Sequence, residues 1–316
     1  MKKILSLLLL IFLTACIPLT ETKETREVMG TIATITILGP DTHKADKAID
    51  EAFEEIDRIE SLMSIYQESQ LSTLNEDGIL ENADPEIVEL IKKSNHYSSI
   101  SDGAFDISVQ PILELYSESF EQKKRPPTEE EINKTLKLVD YASIEIEDTS
   151  IKFNKEGMKI TLGAIAKGYA VDKAIEVLKD NEIKHSLVDL GGDMRAIGSK
   201  ITEPWSIALE NPRDKSEYIS IIKLKDQAVA TSGDYERYFN ENRSFHHIVN
   251  PKTGYSATDL ISVTIIAPTA LEADSISTSA FVLGPKKGLE LIGSLENVEG
   301  LLITKERNII KSSGFD

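Results

Sequence analysis

Residues able to do chemistry gather in three stretches of this 316-residue chain. In TLGAIAKGYAVD, Thr161 to Asp172, a short apolar run meets Gly163, Lys167 and Gly168 at the mouth of a helix, so amides, carbonyls and one ammonium converge. Such a corner suits phosphates, although helix-to-strand packing that needs small residues reads the same way. It is not a Walker loop, because the GxxxxGK[ST] order is missing and no hydroxyl follows the lysine. In ALEADSISTSAFVLG, Asp274 and Thr278 stand one helical turn apart and face the same way. Carboxylate and hydroxyl are hard ligands of the kind Mg²⁺ accepts, with a carbonyl from the Gly163–Ala164 corner as a third. The same spacing also serves a plain local side-chain contact. The third stretch is HHIVNPKTG, where His246 and His247, two of five histidines, precede a Pro251/Gly254 turn. A histidine there either moves a proton near neutrality or hydrogen-bonds at a sheet edge. With no GxSxG, CxxC or HExxH, serine-hydrolase, thiol-redox and zinc readings fall away.

Local patterns predict the elements that must hold these residues. Val28 to Leu38 alternates as a half-buried strand, and Asp41 or Thr42 caps a helix with Ala45, Ala48, Ile49, Ala52, Phe53, Ile56, Ile59 and Met63 on one face. Ser64 to Asn75 reads as a loop presenting Tyr66, either to a planar ligand or to solvent. Asp84 and Pro85 open a further helix. In Ser101 to Leu113, Gly103 and Pro111 bracket Phe105 and Asp106, marking a tight turn or a close backbone approach to a ligand. Gln122 to Glu131 is a charged excursion ending in a Thr128/Glu131 capping box. A hairpin over Ile144 to Phe153 leads into the Thr161 corner. Beyond it, Ser186 to Gly198 is expected as a strand that breaks at Gly191 and Gly192 before Asp193 and resumes. Further strands fall at Trp205–Leu209, Ile219–Leu224, Ala228–Asp234 and Ser262–Ala267, a short one at His246, a helix over Leu271–Leu283 closed at Gly284, and a terminal hairpin over Leu301–Lys311. Without a steady βαβ rhythm, the class is α+β with mixed, mostly antiparallel sheets and packed helices, as two intimate lobes.

Composition sets the bounds. A hydrophobic content of 41% supports a full core, and a net charge of −18 argues against a nucleic-acid partner, which would need a basic face. Residues 1–15 carry a basic start, an apolar run from Ile4 to Leu13 and small residues before Cys16, the pattern of a signal peptide. LTAC resembles a lipobox, which would make Cys16 the lipidated first residue of the mature chain; an ordinary secretory signal with a stray thiol is the lesser alternative. Residues 16–27, polar and Thr/Glu-rich, read as a tether, leaving 28–316 as the folded domain.

In order along the chain, MGT at Met29, the SxY segment at Tyr66, GAFDISV at Gly103, LGAIAKGYAVD at Leu162, LVDLGGD at Leu187, ATSGDYERYF at Ala230, HHIVNPKTG at His246 and APTALEADSISTSAFVLG at Ala267 resemble the ApbE family of FAD:protein FMN transferases. The resemblance implies a T-fold-like architecture, FAD as substrate, Mg²⁺ as cofactor, and transfer of FMN to a threonine hydroxyl of an acceptor flavoprotein with release of AMP. It implies a metal held by Ala164, Asp274 and Thr278. It implies flavin-nucleotide contacts at Met29, Tyr66, Ala104, Phe105, Asp106, Thr161, Lys167, His247 and Ile248, with proton transfer at His247. One carboxylate cannot both ligate tightly and serve as a good base, so Asp274 is the weaker candidate for proton removal. A lipid anchor would place the enzyme at the extracytoplasmic face of a cell membrane, which in a two-membrane cell faces the periplasm. Many relatives have Asp where this chain has Thr161. FAD pyrophosphatase activity and passive flavin binding are the competing functions.

Overall fold

A computed structural model describes residues 19–241 and 243–315, with the side chain of Lys215 excepted. The expected signal peptide and Cys16 lie outside the described residues. The chain opens with a hairpin of β1 (Thr20–Val28) and β2 (Thr31–Gly39), turned through Met29 and Gly30 at φ 52° and 67°, a pair that matches strand twist. The tether reading thus fails from Thr20 onward. Thr22, Glu24, Arg26 and Val28 form a partly covered row, and a polar edge strand shows period two without needing apolar residues.

Helix α1 (Thr42–Met63) has Asp41 accepting from the Lys44 amide at 3.1 Å, and its eight predicted apolar residues are all buried. α2 (Gln70–Asp77) occupies what the sequence predicts as loop: Ser69 and Ser72 cap each other reciprocally, a serine version of the capping box. After β3 (Ile79–Leu80) comes α3 (Pro85–Ile100), opened by Asp84 as expected. The Ser101–Leu113 turn runs straight into a further helix, α4 (Gln110–Glu121), and the capping box then opens α5 (Glu129–Thr135). Strands β4 (Ile144–Glu147) and β5 (Ser150–Phe153) form the predicted hairpin and take in β3 as a three-stranded sheet.

α6 (Ala166–Asp180) follows the Thr161 corner. β6 (Ser186–Leu190) and β7 (Asp193–Ile197) are two antiparallel strands rather than one interrupted strand, because Gly191 and Gly192, both at positive φ, reverse the chain in two residues. β8 (Trp205–Asn211) and β9 (Asp214–Leu224) pair alone, while β10 (Ala228–Gly233) and β11 (Leu260–Ala267) join the main sheet. The segment around His246 makes only isolated bridges, Tyr238 to His246 and Val249 to Ser256, so the short strand expected there does not form. α7 (Ala270–Gly293) breaks at Gly284–Pro285 but continues beyond the predicted end, and β12 (Glu299–Thr304) with β13 (Ile309–Lys311) closes the chain.

The main sheet runs β1-β2-β6-β7-β10-β11-β12-β13, every pair antiparallel. One face carries α1, α6 and α7 over Ile35, Ile37, Val188, Val263 and Ile265. That core runs on into α2, α3 and the small sheet, so the two lobes share one interior. Trp205, Ile222 and Leu224 of the β8–β9 hairpin cover the other face. A satellite cluster of Ile112, Tyr116, Phe120, Ile132, Phe239 and Phe245 ties α4 and α5 to the loop between β10 and β11.

Candidate functional site

Two helices meet at backbone distance. A Cβ on Gly168 would lie 2.3 Å from the Ala270 carbonyl oxygen and 2.8 Å from the Leu271 Cα, so only glycine lets α6 approach α7 here. Asp172, one turn along α6, accepts the Ala270 and Leu271 amides at 2.9 and 3.0 Å and pairs with the Arg195 guanidinium at 2.7 Å. One buried carboxylate therefore caps α7 and fixes it to both α6 and β7, with Thr269 completing the cap at the Glu272 amide.

That clamp sets Asp274. The Gly168 amide, which an unbroken helix would give to the Ala164 carbonyl, donates instead to Asp274 Oδ2 at 3.2 Å. The late acid thus reaches the glycine corner, and the Ala164 carbonyl stays outside the helical ladder. Thr278, on the same face, shares Ser232 Oγ at 3.1 Å. Burial, and then the charge of Asp193, lifts the Asp274 pKa to about 7 against the opposing pull of Lys167. Among the described residues no group of three His, Cys, Asp or Glu is placed to hold a metal. What the corner offers is a carboxylate, a hydroxyl and a carbonyl, an all-oxygen set suited to a hard divalent ion that keeps water and phosphate oxygens.

Lys167 Nζ pairs with Asp193, a buried acid that also takes the Thr231 amide. Burial works against the ammonium, but Asp193 and Asp274 outweigh it and hold the lysine pKa above its usual range. Sequence reasoning assigned no role to Asp193 or Asp172. The first could have been suspected from an acid placed directly after a Gly-Gly turn; the second has no local signal, because the two amides that it caps lie 98 and 99 residues away and Arg195 lies 23 away.

The two histidines separate cleanly. His246 is buried, donates Nε2–H to the Ala257 carbonyl at 2.8 Å and receives the Ile248 amide on Nδ1 at 3.3 Å, so both nitrogens are committed. Its ring also meets Phe281 edge-on at 5.8 Å. His247 places Nδ1 2.9 Å from the Arg237 carbonyl, an acceptor that requires the Nδ1–H tautomer and leaves Nε2 with its lone pair. Burial first, then the nearby Arg237, His246 and Lys167 charges, lowers the His247 pKa to about 4, so the ring is neutral at ordinary pH.

The remaining predicted contacts divide by exposure. Tyr66 is 85% exposed, its ring available, and Met29 sits at the hairpin tip with its amide on Glu60 Oε2 at 2.8 Å. Thr161 is anchored through its amide to the Ile107 carbonyl at 2.8 Å, and its hydroxyl takes the Gly163 amide at 3.2 Å. Ala104, Phe105 and Ile248 are buried, Phe105 against Tyr97, so their side chains belong to the core and only their backbones can meet a ligand. Asp106 is likewise committed: Ser108 donates its amide and hydroxyl to Oδ1, and the Tyr141 amide reaches Oδ2. A cleft of about 880 Å³ opens between α3, α6 and the start of α7, reaching Tyr97, Asp172 and Glu272, but it contains none of Lys167, His247 and Asp274.

Fold and corner together define an α+β protein of antiparallel sheets, with a charged, glycine-mouthed corner where two helices touch. The chain belongs to the ApbE family, whose sequence model matches residues 29–302. It is similar to a protein of Klebsiella pneumoniae (strain 342), 31% identical over 83% of each chain, and to one of Haemophilus influenzae, 30% identical over 99% of this chain and 97% of that one. Both bear the name FAD:protein FMN transferase. Among solved structures, the ApbE protein of Thermotoga maritima superposes with a TM-score of 0.85 at 33% identity, over 93% of this chain and 97% of its own. The flavin transferase ApbE of Vibrio cholerae superposes at 0.81 and 26% identity, over 94% and 99%.

Proposed function

We propose that this chain transfers the FMN half of FAD to a threonine hydroxyl of an acceptor protein, in a Mg²⁺-dependent reaction that releases AMP. The names borne by its relatives support flavin transfer, and the contact of Asp274 with the Gly168 amide carries the assignment of the site. Asp274, Thr278 and the Ala164 carbonyl would hold the ion, which when bound would draw charge from the diphosphate oxygens. Lys167 would add a fixed positive charge beside the same oxygens. Tyr66, Met29 and Thr161 would receive the flavin nucleotide together with the backbone at Ala104, Phe105, Asp106 and Ile248.

In the reaction the threonine oxygen bonds to the FMN phosphorus as the bond from that phosphorus to the bridging oxygen breaks. AMP departs with the bridging oxygen and the electron pair. His247 Nε2, held free by the Arg237 carbonyl, takes the threonine proton; a weak base suffices because a loose phosphoryl transition state draws little on the nucleophile. The LTAC sequence supports anchoring through Cys16 at the extracytoplasmic membrane face.

Mass spectrometry of a co-expressed acceptor tests this. The wild-type chain should add an FMN-sized adduct on threonine and form AMP in step, and Asp274→Ala should lower the rate by about a hundredfold or more, the scale for removing a group that stabilises transition-state charge. Free FMN and AMP with no adduct would make the chain a pyrophosphatase. Intact FAD in the presence of Mg²⁺ and acceptor would make it a flavin carrier.

A further inference from the structure

Two buried acids and one partly buried lysine lie together at the α6 mouth. Asp193 is 1% exposed and Asp274 5%. Lys167 is paired with Asp193, yet the residue that follows it, Gly168, donates its amide to Asp274 Oδ2 at 3.2 Å, so the ammonium lies within electrostatic reach of both acids. Glu236 adds a further, weaker negative charge toward the lysine. A partly buried ammonium beside two buried carboxylates pairs with whichever is better presented, and the pairing decides which acid remains for another cation.

From this geometry we infer that Asp193 is a positioning residue: it holds the Lys167 ammonium away from Asp274 and so keeps the Asp274 carboxylate open to a divalent cation. The inference rests on the reading of Asp274 as a metal ligand and deepens it. β7 presents Asp193 from the first position after the Gly191–Gly192 turn, and β10 fixes it through the Thr231 amide, so the acid is held by the sheet while Asp274 is held by a helix. The lysine is thereby tied to the rigid sheet. Without Asp193 the acid that acts on it most strongly is the proposed ligand, ahead of Glu236, and a Lys167–Asp274 pair would compete with the metal. The surplus negative charge left by two acids and one lysine is also what a divalent ion would balance.

The test is Mn²⁺ affinity, read from the electron paramagnetic resonance signal of free Mn²⁺ over the full-length chain without FAD. Asp193→Asn should weaken binding about 10- to 100-fold, the range for losing a group that supports a metal ligand. Adding Lys167→Met to Asp193→Asn should restore affinity to near the wild-type value, because the competing ammonium is gone. Wild-type affinity in Asp193→Asn, or a loss that persists in the double variant, overturns the inference. If Asp193→Asn does not fold, the double variant, which carries no unpaired lysine, decides alone: near-wild-type affinity supports the inference, and affinity at least tenfold weaker overturns it. Asp274→Ala separates the levels. If it binds Mn²⁺ as well as wild type, the metal assignment itself fails; if it loses binding while Asp193→Asn does not, only the role of Asp193 fails.

Discussion

The helix corner and the histidine loop would supply the two halves of the proposed reaction, and they are built on different principles. At the corner, position comes from regular elements: α6 and α7 touch through Gly168, Asp172 caps one helix from the other, and the charged groups are paired within the main core. The loop between β10 and β11 has isolated bridges in place of a ladder, and its rigidity is borrowed from a satellite aromatic cluster. Phe239 stacks on Tyr116 at 5.4 Å, Phe245 meets Phe120 at 5.3 Å, and the Tyr116 hydroxyl donates to the Gly254 carbonyl at 3.1 Å. The excursion through α4 and α5 is therefore a buttress for the loop that carries His247. A change at the corner should therefore act globally, and a change at the histidine loop locally.

The sharpest break in that contrast is expected from Asp172→Ala. It strands the Arg195 guanidinium and two α7 amides, and should destabilise the protein by about 3 kcal/mol or more, the scale for removing one partner of a buried ion pair. Urea unfolding measures this, and Mn²⁺ affinity should fall with it. Phe239→Ala comes next, at about 2 kcal/mol for a partly buried ring. Here hydrogen exchange should rise in residues 234–257 while the α6 and α7 amides stay protected, and transfer should slow with Mn²⁺ affinity unchanged. Equal loss of metal binding in that variant would erase the distinction between the halves.

The smallest effect is on pH dependence. Because burial lowers the His247 pKa from 6.5 to about 4, the neutral ring persists through mildly acid solution. With the metal saturating, so that Asp274 stays ionised throughout, kcat/KM should show no break near 6.5 between pH 5 and 8, since that parameter reports the enzyme before substrate binds. Linkage has the same sign. The unfolded chain protonates this histidine at 6.5 and the folded chain only near 4, so the group's contribution to stability is complete above 6.5 and lost as pH falls between those values. A break at 6.5 would show a loop open to water.

How much of this was legible depended on distance along the chain. α1, α3, α5 and the β4–β5 and β12–β13 hairpins follow from caps and periodicity within a dozen residues. β1 was hidden because an edge strand covered on one side needs no apolar residues, and α2 because Ser72 replaces the acid that usually marks a capping box. Asp274 and Thr278 declared themselves by helical spacing, but no spacing shows that Asp172 caps a helix nearly a hundred residues later or that Asp193 receives Lys167. The adjacent histidines look equivalent as text, and only the carbonyls of Ala257 and Arg237 tell the structural ring from the one with a free nitrogen.

The most direct measurement is anomalous diffraction from crystals grown with FAD and Mn²⁺ in place of Mg²⁺. One peak touching the Asp274 carboxylate and the Ala164 carbonyl, beside the diphosphate of FAD, is expected. A peak seated instead in the α3–α6 cleft against Glu272, or a diphosphate bound with no metal near Asp274, would contradict it.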